Sequence, residues 1–374
     1  MLVKQLTLRN DTWNEDLLNL DFKAHILLLF MSPDFKNKNN ILNYLTKNHP
    51  ESSIVGCSTA GEISDISVHD NSVSLTAIQL EKATHKKISV PVKSMDKSYT
   101  AGLQLAEQLK TPDLNHVLVF SDGLNVNGAD LVSGMRTGLP NVSITGGLAG
   151  DGANFNNTFI INDGEITDKM LVAIGLYGDD LKVGYSSIGG WDSFGKDRLV
   201  TKAKKNVLFE LDGMPALKLY KSFLGDKAKD LPGSGLLFPL SLRENETSSR
   251  VVRTILSINE KNQSLTFAGN IPEGSYVRLM KANVDRLING AQQSAKMVTS
   301  SLKNDAELAI LISCVGRRLV LKQLVEEEVE AVREILGEKP KITGFYSYGE
   351  IAPFEEFQPC ELHNQTMTIT TLSE

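Results

Sequence analysis

The stretch KITGFYSYGEIAPF, residues 341–354, repeats a line that also occurs near the N-terminus as SIVGCSTAGEISDI, residues 53–66. Both contain an apolar residue, any residue and Gly, followed by four residues and Gly-Glu-Ile. A glycine at each end of a loop permits close backbone approach and positive φ angles that other residues avoid. The repeat therefore indicates that one structural unit is used in both halves of the chain.

The residues upstream of each loop predict the same order of elements. A continuous apolar run comes first, HILLLFMS at 25–32 and ELAILISCVG at 307–316, as in strands that are covered on both faces. Apolar residues then recur at helical spacing, over roughly 37–48 and 319–337. A further strand-like segment follows each loop. The unit is strand, helix, strand, loop, strand, with the first two strands parallel and the last added antiparallel.

A third, weaker copy of the unit lies between the other two. HVLVFSDG (116–123) is its buried run, a helix-like segment follows over 128–138, and SITGGLAGDG (143–152) stands where the loop belongs. Its second glycine comes one residue early, at Gly150, and Asp151 replaces the Glu. We predict an α/β to α+β fold with mixed sheets built from these repeated units.

The segment 181–300 has a different pattern. Apolar and polar residues alternate over 251–280 with turn residues between them, which is typical of a β-meander. The polar stretch at 222–232 ends in Pro and Gly, and we place a domain boundary there. The prediction is two domains, 1–225 and 226–374.

Composition narrows the class of protein. The 374 residues are 41% hydrophobic and 22% charged, with a formal net charge of −6, which argues against a nucleic-acid binder. No apolar run approaches the ~20 residues of a membrane helix, and the N-terminus lacks the apolar core of a secretory signal. Three cysteines without metal-type spacing favour reduced thiols in the cytoplasm.

Several motifs, in this order, resemble the FIST family, named for F-box and intracellular signal transduction. The motifs are GCSTAGEI (56–63), TGGLAGDGANFNNT (145–158), SCVGRR (313–318), GFYSYGEIAP (344–353) and LHNQTMTITTL (362–372). The resemblance covers nearly the whole chain and implies an N-type domain over 1–225 and a C-type domain over 226–374.

The resemblance also implies a role. Members of this family are thought to be sensory domains for small ligands, with amino acids proposed, and some stand-alone bacterial members are haem proteins that sense nitric oxide and control a histidine kinase. We see no appended kinase, cyclase or receiver segment, so the chain is similar to the stand-alone kind. The expectation is a non-enzymatic cytoplasmic sensor with a partner histidine kinase. Haem with nitric oxide is the favoured ligand, an amino acid or another small molecule is the alternative, and homodimerisation stays open.

Two acidic residues are candidates because loops at the carboxyl ends of parallel strands are where ligands bind in open α/β sheets. Glu62 and Glu350 either bind a ligand ammonium group or cap amides of their own loops. Tyr346 and Tyr348 accompany Glu350 and favour a ligand wall. Cys57 lies among small residues that permit close approach of a ligand. If only one loop lines the site, we expect the C-terminal one.

Arg317 and Arg318 follow a buried strand and precede a helix, a position suited to anions. One of them could hold a carboxylate of an amino acid or a haem propionate, and the alternative is a salt bridge to Glu350 or a neighbouring acid. His363 is the candidate axial haem ligand and metal ligand, with a structural histidine as the alternative.

A second class of function stays open. Cys57 or Cys314, activated by His363 as a base, would make the protein a Cys-dependent hydrolase. No linear signature unites these three residues.

Overall fold

The computed structural model describes residues 1–245, 250–302, 306–353 and 358–374. Its α-helices are α1 (Lys38–Asn48), α2 (Ser98–Leu109), α3 (Gly128–Gly138), α4 (Ala216–Leu224), α5 (Val284–Leu302), α6 (Val315–Leu321) and α7 (Val325–Leu336). Short 3-10 turns lie at Glu15–Leu18, Met95–Lys97, Gly225–Asp230, Gly233–Leu237 and Lys322–Leu324. None of the helices in these ranges combines the length and apolar character needed to cross a membrane.

The strands fall into three stretches of the chain. The first holds β1 (Leu2–Arg9), β2 (Ile26–Met31), β3 (Ser53–Ser58), β4 (Glu62–Ser64), β5 (Ser67–His69), β6 (Ser72–Gln79), β7 (Thr84–Pro91), β8 (Leu114–Ser121), β9 (Ser143–Leu148), β10 (Ile160–Asn162), β11 (Glu165–Thr167), β12 (Met170–Tyr177) and β13 (Lys182–Ile188). The second holds β14 (Asp192–Lys204), β15 (Val207–Leu211), β16 (Met214–Pro215), β17 (Leu240–Arg243), β18 (Val251–Arg253), β19 (Ile255–Asn259), β20 (Ser264–Phe267) and β21 (Tyr276–Lys281). The third holds β22 (Leu308–Cys314), β23 (Lys341–Ser347), β24 (Gly349–Pro353), β25 (Cys360–His363) and β26 (Met367–Ser373).

The three predicted units are confirmed. The first two strands of each unit pair in parallel, as β2 with β3, β8 with β9, and β22 with β23. The last strand of each unit, β6, β12 or β26, adds antiparallel to the first. The predicted mixed α/β architecture is therefore confirmed. One helix differs from the expectation: the segment predicted as one helix over 319–337 is divided between α6, a 3-10 turn and α7.

The hairpin that follows each unit's loop joins the sheet of a different unit. Strands β4 and β5 extend the third unit's sheet beside β23, β10 and β11 extend the first beside β3, and β24 and β25 extend the second beside β9. The exchange is cyclic, so every unit donates one hairpin and receives another. As a result the two stretches with Gly-Glu-Ile are neighbours, because β4 pairs antiparallel with β23.

The glycine that opens each loop motif lets the second strand of its unit lie close to the first. Gly56, Gly146 and Gly344 occupy the same position in the second strand of their units. A Cβ built on any of them would lie 1.8 Å from a carbonyl oxygen of the adjoining first strand. No side chain fits at that distance, so the close approach of the two strands at these positions requires glycine.

Aromatic rings from all three units meet in the core. Phe30 and Phe120, from β2 and β8, and Phe345, from β23, have ring centroids 4.7 to 6.2 Å apart. All three side chains are fully buried. The sheets of the three units therefore share one hydrophobic interior.

The segment 192–281 forms a separate eight-stranded sheet with α4, inserted between β13 and α5. The predicted meander is present in part: β19 and β20 form a hairpin, whereas β21 pairs with β14 and β17. The stretch 222–232, where we expected a domain boundary, lies between strands of this one sheet.

Candidate functional site

Glu62 and Glu350 are buried and each contacts its own unit. Glu62 accepts hydrogen bonds from the amide and hydroxyl of Ser72, at 3.2 and 2.7 Å, and from the hydroxyl of Thr59. Glu350 accepts from the amide and hydroxyl of Thr366, at 3.1 and 2.9 Å, and from the Ser347 hydroxyl at 2.8 Å. Each carboxyl group joins its loop to the start of the last strand of the unit.

Burial dominates the ionisation of both groups. It raises the pKa of Glu62 to about 7 and that of Glu350 to about 8, although the hydrogen bonds act in the opposite direction. Both side chains therefore keep their proton to a higher pH than an exposed glutamate does.

In the second unit, the start of the last strand is bound by a different residue, which follows the first strand. Asp122, directly after β8, accepts a hydrogen bond at 2.6 Å from the amide of Lys169, the residue before β12. Asp151, at the position aligned with the glutamates, instead binds the amides of Phe155, Asn156 and Asn157. Sequence reasoning missed Asp122, although its place at the end of a buried run was a signal for it.

Arg317 lies fully buried in an ion pair with Glu328 of α7. Its Nε and Nη2 atoms lie 3.0 and 2.7 Å from one carboxylate oxygen, and the guanidinium also donates to the carbonyls of Gly189 and Leu287 at 2.8 Å. Tyr346 donates its hydroxyl to Glu328 at 2.6 Å. The acid that pairs with Arg317 is thus Glu328, not Glu350.

Arg318 connects the third unit to the loop of the first. It donates to the carbonyl of Ala60 at 2.6 Å and forms two hydrogen bonds with Asp70, at 2.9 and 2.7 Å. Its guanidinium lies 5.7 Å from the ring centroid of Tyr346. Tertiary structure therefore brings Arg318 and the Glu62 loop, which are distant in sequence, into contact.

A polar cavity of about 240 Å³ opens beside this contact. We call it the junction pocket; its lining comprises Ser32, Pro33, Asp34, Thr59, Ala60, Gly61, Glu62, Asp70, Asn71, Asp151, Gly152 and Asn154. Four of these residues are acidic, and Arg318 stands at its edge through Ala60 and Asp70. The junction pocket is lined by the N-terminal loop, and the prediction that the C-terminal loop lines the ligand site stays a prediction.

Of the aromatic residues in the loop 345–348, Tyr348 lines a cavity. Phe345 and Tyr346 are fully buried. Tyr348 faces a small apolar cavity of about 70 Å³, which we call the aromatic slot; its lining comprises Met95, Gly123, Leu124, Val126, Asn127, Leu148, Phe155, Asn206, Leu256, Phe267, Ala268 and Tyr348. The Tyr348 hydroxyl donates to Asp151, so these two side chains separate the slot from the junction pocket.

His363 does not fit the role of an axial haem ligand. Its ring is 1% exposed, and Nε2 lies 2.8 Å from the carbonyl of Ala352, which can only accept. Burial lowers the pKa of His363 to about 4. Haem iron could reach this nitrogen only by replacing that bond and opening the surrounding sheet. Across the described ranges, no three His, Cys, Asp or Glu side chains are grouped to hold a metal ion.

The cysteines lie in the interior. Cys57 and Cys314 are 0% and 2% exposed, and burial raises the pKa of both thiols. A nucleophilic thiol needs a lowered pKa and access to its substrate. The surroundings of both cysteines therefore work against the reactive thiolate.

Comparison with known proteins finds relatives without an assigned role. An uncharacterised protein of Methanocaldococcus jannaschii is 26% identical over 308 residues, which is 76% of this chain and 58% of the relative. An uncharacterised protein of Mycobacterium tuberculosis is 21% identical over 230 residues, 60% of this chain and 59% of the relative. The chain thus spans less than two thirds of the length of these relatives.

Among solved structures, two cyanuric acid hydrolase chains, one from A. caulinodans, align at TM-scores of 0.38 and 0.37 with 8% identity. The alignments cover 100% of this chain and 98% and 99% of those chains. Likeness at this level carries no argument about activity.

Family models match most of the chain. The FIST N domain model covers residues 25–214, and the FIST C domain model covers residues 216–353. The motifs that carry the resemblance form the loops and strands of the three units described above. The chain belongs to the FIST family.

Proposed function

We propose that this protein is a sensor that binds a small amino acid-like molecule at the junction pocket and transmits binding to the inserted sheet. FIST domains are associated with sensing and signal transduction. The observation that carries the proposal is the contact of Arg318, within the FIST C match, with Ala60 and Asp70, within the FIST N match. A ligand bound there would touch both parts of the chain.

The chemistry of the pocket favours a zwitterion. The carboxylates of Asp34 and Asp70 suit an ammonium group, and Arg318 suits a carboxylate through its two parallel donors. The Asp70 side chain is 66% exposed, so a ligand carboxylate can take its place on Arg318 at small cost. The cavity of about 240 Å³ has the scale of an amino acid and is smaller than pockets for drug-sized ligands. The haem alternative depends on His363, whose surroundings do not fit that group.

Helix α6 provides a route from the pocket to the inserted sheet. Arg318 contacts the pocket, while the preceding residue, Arg317, holds the carbonyls of Gly189 and Leu287. These carbonyls lie just outside the two ends of the segment 192–281. A ligand that replaces Asp70 on Arg318 would shift α6 and with it the entry and exit of the inserted sheet. We propose that a partner, of which a histidine kinase is the expected class, reads this shift.

Calorimetric titration with each proteinogenic amino acid tests the ligand class. We expect at least one to bind, and Arg318→Lys and Asp34→Asn to weaken its affinity about tenfold or more, a loss of about 1.4 kcal/mol. Asp226→Asn is the matched control, because Asp226 is fully exposed in the inserted segment. Absence of binding by every amino acid would overturn the proposed ligand class.

An absorption spectrum after haem supplementation tests the alternative. We expect no Soret band from bound haem. A Soret band that disappears in His363→Ala would establish the haem version and contradict the ligand class proposed here.

A further inference from the structure

The aromatic slot and the junction pocket meet at a wall formed by one pair of hydrogen-bonded side chains. Asp151 lines the pocket and Tyr348 lines the slot, and the two are joined by the Tyr348 hydroxyl. The Phe155 amide donates to Asp151 at 2.8 Å and lies 3.2 Å from the Tyr348 oxygen. A polar cavity lined by carboxylates therefore adjoins an apolar cavity across a single pair of residues.

The ring of Phe155 covers the face of the Tyr348 ring, so this face accepts an aromatic ring. The two rings stack with centroids 4.4 Å apart and an interplanar angle of 16°. Phe155 has φ of +54°, a left-handed conformation that is uncommon for an aromatic residue. Its side chain is only partly buried and packs against the hydrophobic core without belonging to its fully buried part.

The size of the slot decides whether a ligand ring could enter beside Phe155. The slot holds about 70 Å³, whereas an apolar cavity of about 150 Å³ is the size that takes up benzene. A ring therefore fits only in the place of the Phe155 ring. The rim of the aromatic slot suits the replacement of the Phe155 ring by a ligand ring. Its residues Met95 and Leu256 are 42% and 37% exposed, and methionine adapts to irregular shapes.

We infer that the ligand is an amino acid carrying an aromatic ring, and that this ring displaces Phe155 from Tyr348. The ammonium group binds on the Asp151 side of the wall, among the carboxylates of the junction pocket. Phe155 thus occupies the ring site in the free protein. The inference rests on the proposed function and narrows its ligand from amino acids in general to those with a ring.

Calorimetry with four compounds tests this ligand class: phenylalanine, alanine, phenethylamine and 3-phenylpropionate. We expect phenylalanine to bind about tenfold or more tighter than each of the other three compounds, because it alone carries the ring, the ammonium group and the carboxylate. Phe155→Ala, which empties the ring site, should tighten phenylalanine binding several-fold and leave alanine binding unchanged. Phe155→Leu, a milder change, should act in the same direction. Phe223→Leu is the control, since Phe223 is an exposed ring in α4.

The outcomes separate the two proposals. Equal affinity for alanine and phenylalanine would overturn the ring site and leave the amino acid sensor standing. Equal affinity for phenylalanine and 3-phenylpropionate, or weaker phenylalanine binding by both Phe155 variants, would also overturn the inference. Circular dichroism identifies any variant that fails to fold. If a variant fails, the affinities of the wild type for the four compounds still decide the inference.

Discussion

At the carboxyl group of Glu350, burial and hydrogen bonding act in opposite directions. Three donors from Ser347 and Thr366 favour the charged form, but complete burial raises the pKa to about 8. The ordinary pKa is 4.5, so the folded protein binds more protons than the unfolded chain between pH 4.5 and about 8. The free energy of unfolding therefore decreases as the pH rises through this range. Glu62, with a pKa of about 7, adds to the same trend.

Glu350→Gln should remove much of this pH dependence. Glutamine keeps the shape of the side chain and cannot lose a proton, so above about pH 8 the variant should be more stable than the wild type. The wild type should lose roughly 3–5 kcal/mol through Glu350 between about pH 5 and pH 9. Urea denaturation across this pH range measures the effect. Glu334→Gln, on an exposed position of α7, is the control, and an unchanged slope in Glu350→Gln would contradict the prediction.

Among the elements, α6 carries two arginines in opposite environments. The Arg317–Glu328 pair is completely buried, with both side chains 0% exposed, whereas Asp70, the partner of Arg318, is mostly exposed. Removal of one member of a buried pair leaves an uncompensated charge in the interior, while an exposed pair contributes little to stability. Two neighbouring arginines should therefore differ strongly in their effect on stability.

Arg317→Met should reduce the free energy of unfolding by about 3–5 kcal/mol, because Glu328 stays buried without its partner. The double variant Arg317→Met with Glu328→Met should recover most of that loss. Arg318→Met should cost about 1 kcal/mol or less while still weakening ligand binding. Chemical denaturation of the four proteins measures these values. Equal losses of unfolding free energy in Arg317→Met and Arg318→Met would show that burial does not decide how much each arginine stabilises the protein.

On the scale of the whole molecule, the cyclic exchange of hairpins makes the three units depend on one another. Strands β4 and β5, encoded in the FIST N match, complete a sheet whose centre is β22 and β23, from the FIST C match. The inserted sheet of 192–281 has a different relation to the rest. Gly189 and Leu287 flank it and are held by the same guanidinium, so its two ends lie close together.

This arrangement predicts which parts of the chain fold alone. The fragment 1–225 lacks β23, which pairs with β4, and β24, which pairs with β9. It should therefore show no cooperative thermal transition. Replacement of 192–281 by a short Gly-Ser linker should leave a cooperative transition, because both ends of the segment meet at Arg317. Circular dichroism melting of both proteins, with the full chain as reference, provides the test. A sharp transition in the fragment 1–225 would refute the dependence of the units on one another.

The sequence predicted the site in part. It singled out Arg318, Glu62 and Tyr348, which line or adjoin the two cavities, and it also singled out His363, which is buried with its Nε2 atom bonded to a carbonyl. It missed Asp70, because an exposed aspartate in a polar segment has no local signature. Partners of this kind are set by the packing of elements far apart in the chain.

By itself, the amino-acid sequence determined the three units. Apolar periodicity and glycine placement are local, and they specify each strand, each helix and the loop between them through residues only a few positions apart. Only tertiary structure decided that the hairpins are exchanged and that the two lines containing Gly-Glu-Ile lie side by side, with Glu62 opposite Phe345 in the antiparallel ladder. Pairing of this kind depends on which sheet edges remain open after the units pack, and that is a property of the assembled chain.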